Sequence, residues 1–168
     1  FILKLAEKVL NEKEIHFLFV GDGMTKPELV RYATDRKLGN VSFEPFVSKE
    51  EYPLLVKDVE VGIISLTDKN TTPAVPAKLI GYMAGGIAVA GFLHAESDGS
   101  LIIKESGCGF TAPFGDEEKA VEVIKNLYSM RTEMRQLGEN AFNYALKHFS
   151  KDVCLAKWDG ELKNTSAE

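Results

Sequence analysis

The residues with the clearest chemical potential lie between Thr71 and Phe92, in the stretch TTPAVPAKLIGYMAGGIAVAGF. Two prolines, Pro73 and Pro76, precede a lysine, Lys78. Proline keeps the residue before it out of the α region, so this spacing predicts a helix opening at Ala77 directly after Pro76. The amides of Ala77 and Lys78 then fall in a first turn, where they have no partner within the helix and sit at its positive end. That setting suits a phosphate, and Lys78 adds a full charge to it. Upstream, Thr71 and Thr72 offer hydroxyls and backbone amides as hydrogen-bonding groups, while Asp68, Lys69 and Asn70 read as solvated loop. The plainer alternative is an ordinary helix on an α/β sheet with Lys78 in solvent.

A second group surrounds Gly21-Asp22-Gly23, which follows the apolar run IHFLFV. A dinucleotide fingerprint would place a third glycine at position 26, where Lys26 stands, so a nicotinamide site is not expected. Gly21 and Gly23 instead read as a tight turn at the carboxyl end of a strand, the place where open α/β sheets bind ligands. The histidines carry less: His94 lies past a strand end with no Ser or Cys at a recognisable spacing, His16 sits in a strand, and His148 lies in a last helical turn. No metal-ligand spacing is present, and Cys108 and Cys154 make neither a metal pair nor a disulfide framework.

These groups need a scaffold, and the hydrophobic pattern supplies one. FILKLAEKVL reads as a helix with Ile2, Leu5, Ala6 and Val9 on one face. IHFLFV is apolar on both faces, as a buried parallel strand should be. Thr25 to Glu28 and Ser48 to Glu51 read as capping boxes, with Pro53 set to shorten or kink the helix after the second. Short strands are expected at NVSF (40 to 43) and VEVGIIS (59 to 65). In the opening motif Leu79, Ile80 and Met83 turn inward, Gly85-Gly86 ends the helix, and IAVA is a buried strand. A helix with Leu101, Ile102 and Ile103, an edge strand near Gly109 to Thr111, and three terminal helices complete the chain. Asp116 caps the first of these, with a stripe of Ala120, Val121, Ile124 and Leu127. The second carries Met134, Leu137, Ala141, Phe142 and Ala145, and Ser150 caps the third, which holds Trp158. The expected architecture is a Rossmann-like, three-layer α/β domain with a parallel sheet, one domain over residues 1 to 168.

Composition narrows the classes further. The 168 residues carry a net charge of -5, which argues against a nucleic-acid partner. There is no apolar run long enough for a membrane helix and no signal peptide, so a soluble, cytoplasmic protein is expected. A doubly wound domain ordinarily starts with a strand, whereas this chain starts in a helix at Phe1. A fragment is therefore expected, and the order 3-2-1-4-5-6 makes the absent strand the central one.

The words PAKLIGYMAGGIAVAG resemble the PSKxxEYMAxGxPVIA segment of retaining, nucleotide-sugar-dependent glycosyltransferases of the GT-B architecture. FLFVGDG, NVSFEPFVSKEEYPLL, DVEVGIISL, SGCGFTAPFGD and LGENAFNYALKHFS follow in that family's order, so the resemblance spans nearly the whole chain. It implies the C-terminal, donor-binding half, with an acceptor-binding N-terminal domain absent and Trp158 left exposed. It also implies transfer of a sugar from a nucleoside diphosphate sugar to a glycan or lipid-linked acceptor, without a cofactor or metal, and with peripheral membrane association of the full-length protein. Donor contacts then fall on Gly21, Phe46, Val47, Thr71, Thr72, Ala77, Lys78 and Gly81. Phe46 stacks on the base in this reading or, alternatively, packs into the core. The resemblance names no catalytic residue. Two carboxylates of the family pattern are missing, because Pro73 and Gly81 stand where it has glutamates. An epimerase or hydrolase of the same architecture, and a non-catalytic flavodoxin-like binding module, are the alternatives.

Overall fold

The computed structural model describes residues 1–67, 69 and 75–165. Helices and strands alternate: α1 (Ile2–Lys8), β1 (Phe17–Val20), α2 (Lys26–Asp35), β2 (Val41–Glu44), α3 (Tyr52–Lys57) and β3 (Val61–Ser65). Then come α4 (Ala77–Gly85), β4 (Ala88–Phe92), α5 (Asp98–Ser106), β5 (Gly109–Ala112), α6 (Glu117–Ser129), α7 (Met134–Phe149) and α8 (Lys151–Thr165). Every strand pairing is parallel, as crossover helices between successive strands require.

β4 shows why the domain has three layers. All five of its residues are buried, and its side chains alternate between two cores. Ala88, Ala90 and Phe92 join α1 and α6 on one face, and Val89 joins α4 and α5 on the other. A strand covered by helices on both faces must be apolar throughout, and IAVAGF is. α7 contributes to both cores, Leu137 to the first and Ala141 and Ala145 to the second.

The sheet is in two pieces, β1-β2 and β3-β4-β5. Among the described residues β1 pairs only with β2 and β3 only with β4. This is the doubly wound order with its central position open, the place where the sequence predicts a strand to be missing. α1 packs under both pieces, since Leu5, Ala6 and Val9 share a core with Phe17 of β1 and Ala88 and Ala90 of β4.

Several expectations need correction. β1 is buried on one face only: Phe17 and Phe19 point to the core, but Leu18 is 38% exposed. Beside Leu18 on that open face, His16 just ahead of the strand bonds Ser42 Oγ at 2.9 Å. Thr25 makes no side-chain cap, because it already has α-helical dihedrals (φ -88°, ψ -5°), which turn its hydroxyl away from the third amide. Pro53 breaks nothing, since α3 begins at Tyr52 and the proline occupies its first turn. Phe142 is exposed rather than buried, and Ile80 and Val121 are only partly covered.

The strands expected at 40–43 and 59–65 are Val41–Glu44 and Val61–Ser65, while three local signals hold. Ser48 and Glu51 exchange both capping-box bonds, at 3.0 and 3.2 Å, one turn ahead of α3. Asp116 accepts the Lys119 amide at 3.0 Å at the start of α6. Gly86 ends α4 at φ 69°, a left-handed conformation that costs glycine nothing.

Candidate functional site

α4 starts where the prolines dictate. Pro76 is its N-cap residue, extended at φ -60° and ψ 125°, and provides no side-chain cap. Ala77 and Lys78 follow in the first turn, both exposed, while Leu79 and Met83 are fully buried and anchor the helix in the second core. A cation thus stands in solvent at the positive end of a helix, after a parallel strand of the sheet. Thr71, Thr72 and Pro73 lie outside the described residues, as do Asp68 and Asn70.

Gly81 sits one turn further along α4, partly covered by α3. A Cβ there would lie 3.5 Å from Tyr52 Oη, an ordinary contact. At Gly85, four residues on, a Cβ would lie 2.3 Å from Val56 Cγ1. Tyr52 and Val56 are one turn apart on α3, and it is Gly85 that lets α3 lie close against α4. Tyr82 points the other way, its ring so close to β3 that a Cβ on Gly62 would lie 2.4 Å from it. Burial, with a smaller effect from Tyr52, pushes the Tyr82 hydroxyl pKa up to about 12.

The loops after β1 and β2 meet. Gly21, at φ 131°, donates its amide to Glu44 O at 3.2 Å. Asp22 accepts the Phe46 amide at 2.9 Å through one carboxylate oxygen and Lys26 Nζ at 2.8 Å through the other. Lys26 Nζ also donates to Glu44 O at 2.9 Å. The Lys26 ammonium, and after it the Phe46 amide, hold the Asp22 carboxyl below the usual carboxylate range. Phe46 itself is 72% exposed, so it does not pack into the core; Val47 beside it is half-buried. An open groove of about 690 Å³ runs from Asp22, Gly23 and Lys26 along the Pro27, Val30 and Arg31 face of α2.

Of the sequence candidates, the structure thus brings Gly21 and Phe46 into one bonded unit, and Ala77, Lys78 and Gly81 onto the first turns of one helix. The sequence motifs assign Asp22 and Lys26 no site role, although their i, i+4 spacing at a helix start is a readable ion-pair signal. His94 serves local structure: its Nδ1 accepts the Glu96 amide, and its carbonyl accepts the hydroxyls of Ser97 and Ser100. Among the described residues no three His, Cys, Asp or Glu side chains converge.

The profile of the family described as Glycosyl transferases group 1 matches residues 1–130. The chain belongs to this family. A curated relative, the probable glycosyltransferase WbjE of Pseudomonas aeruginosa, is 22% identical over 157 residues, which cover 94% of this chain and 38% of WbjE. Solved structures give the same fold. A variant of S. aureus TarM, crystallised with UDP, fondaparinux and alpha-GlcNAc-glycerol, superposes with a TM-score of 0.79 at 17% identity, over 95% of this chain and 31% of TarM. Anabaena HepE, in complex with UDP-glucose, gives 0.74 at 16% identity, over 96% of this chain and 44% of HepE. The pneumococcal O-GlcNAc transferase GtfA, bound to UDP and GlcNAc, gives 0.76 at 14% identity, over 99% and 33%. This glycosyl transferase chain spans between 31% and 44% of the length of these relatives.

Proposed function

We propose that the chain is the donor-binding domain of a glycosyltransferase that moves a sugar from a nucleoside diphosphate sugar to a glycan or lipid-linked acceptor. The observation that carries this reading is the start of α4, where Lys78 stands exposed in the first turn behind the uncapped Pro76. Membership of the group 1 family, and UDP or UDP-glucose bound in structures of the same fold, support it.

In this mechanism the diphosphate lies across the first turn of α4. The Ala77 and Lys78 amides and the Lys78 ammonium meet the negative charge that grows on the leaving group as the glycosidic bond to phosphate breaks. No metal is assigned to that task. Thr71 and Thr72 bond the sugar hydroxyls, Gly81 lies toward the ribose, and Phe46 with Val47 and Gly21 borders the base. The acceptor is held by a domain outside this chain, and the full-length protein works in the cytoplasm or at the membrane surface.

Calorimetric titration of the full-length protein with UDP and GDP tests the reading. Lys78→Ala is expected to weaken the preferred nucleotide at least fivefold, the loss of one charge-assisted contact of about 1–3 kcal/mol. Binding equal to wild type would remove Lys78 from the phosphate site. Incubated alone with UDP-sugars, the 168-residue chain should release no UDP above buffer; clear turnover would overturn the division of labour between two domains.

A further inference from the structure

We propose that Asp22 and Lys26 are positioning residues that hold Phe46 as a preformed platform for the nucleotide base. This rests on the donor-site reading above and adds two residues to it.

Four bonds carry the inference. The Asp22 carboxylate joins the turn after β1 to the loop after β2 by accepting the Phe46 amide at 2.9 Å. Its other oxygen accepts Lys26 Nζ at 2.8 Å, and that ammonium donates onward to Glu44 O at 2.9 Å. Glu44 O also accepts the Gly21 amide at 3.2 Å. The backbone from Glu44 to Phe46 is therefore tied at both ends to one turn, with Pro45 between them fixing its own φ and holding Glu44 extended.

A loop held this firmly presents an aromatic ring to water. Phe46 is 72% exposed, whereas Phe17 and Phe92 are buried and Phe19 and Phe43 stack on each other. A large apolar ring left in solvent forgoes the free energy its burial would bring, and its place on a tied loop points to an occupant for its face. A flat nucleobase fits that face, and a loop backbone already tied in place loses little entropy when a base settles on the ring it carries. If the Asp22–Lys26 pair were only a staple for the turn, its removal would lower stability without distinguishing ligands that have a base from ligands that lack one.

The experiment compares UDP with inorganic pyrophosphate, which has no base, by calorimetric titration of the full-length protein. Phe46→Ala is expected to weaken UDP by about fivefold or more and leave pyrophosphate unchanged. Asp22→Ala and Lys26→Met, which disturb the clamp from opposite ends, should each weaken UDP by roughly threefold to tenfold, again without effect on pyrophosphate. Combined with Phe46→Ala, neither should cost anything further, because both act through the ring. The proposal is overturned if the clamp variants bind UDP as wild type does, if they weaken both ligands equally, or if their losses add to that of Phe46→Ala. A wild-type protein that binds neither UDP nor GDP overturns the donor-site reading itself. Lys78→Ala weakens both ligands, and so separates a failure of the phosphate contact from a failure of the platform.

Discussion

Gly81 is costly for a helix, since glycine in an interior turn is about 1 kcal/mol worse than alanine. Its neighbours do not require the choice, whereas those of Gly85 do. Tyr52 Oη lies 3.5 Å from where a Cβ would be, and at Gly85 Val56 comes much closer. The two positions therefore respond differently. At Gly81 a Cβ fits, so Gly81→Glu improves helix propensity and, on the proposed donor-site reading, supplies a carboxylate for the ribose diol. We expect Gly81→Glu to bind UDP or GDP as well as wild type or better; abolished binding in a titration would show that α4 is misaligned on the family pattern. Gly85→Ala places its methyl 2.3 Å from Val56 Cγ1 and should destabilise the fold by about 1–3 kcal/mol, read from denaturant midpoints. The Lys78 position was legible because two prolines and a helix start are local signals. The packing role of Gly85 was not, because it depends on Val56, far away in sequence on another helix.

At the scale of elements, legibility follows the same division between local and long-range causes. Asp116 and Thr25 look alike as cap candidates, yet only Asp116 reaches an amide, that of Lys119. Thr25 arrives at its helix through a turn closed by the Lys26 amide on Gly23 O, which fixes its dihedrals before the hydroxyl can act. Asp116→Ala should accordingly lower the melting temperature by about 2–4 °C, and Thr25→Ala should leave it nearly unchanged, as scanning calorimetry would show. β1 failed as a two-faced strand for a comparable reason: its composition is apolar throughout, but helices cover only one side of it. The contact of α4 with β3 has a pH signature. Tyr82 holds its proton to about pH 12 in the folded protein, against an ordinary value of 10.0. A raised value favours the folded state below the unfolded value, so the contribution is whole below pH 10 and is lost as the pH rises toward 12. Buried Cys108, whose thiol pKa is also pushed up by burial, acts in the same direction. Tyr82→Phe should flatten the loss of stability between about pH 10 and 12; an unchanged slope would place the alkaline transition elsewhere.

At the scale of the whole molecule, two surfaces are left without cover among the described residues. The inner edges of β1 and β3 pair with nothing described, and Phe142, Leu146, Leu155 and Trp158 on α7 and α8 are 47%, 56%, 52% and 68% exposed. Unpaired strand edges offer rows of amides and carbonyls to another chain, and exposed apolar side chains offer area whose burial is favourable. The two surfaces predict different behaviour. Association through the apolar face should be reversible and concentration-dependent, and substituting Trp158 and Leu155 together by serine should reverse it, since both leave solvent only when a second surface covers them. Association through the strand edges should persist in that double variant. Static light scattering of the 168-residue chain across concentration is expected to show a mass rising above 18.6 kDa. The serine variant then assigns the cause, because a mass that falls back to the monomer points to α7 and α8, and one that does not points to the open centre of the sheet. A monomer at every concentration would mean that neither surface is sticky enough to matter, and that α1, packed under both sheet pieces, is sufficient to close the fold.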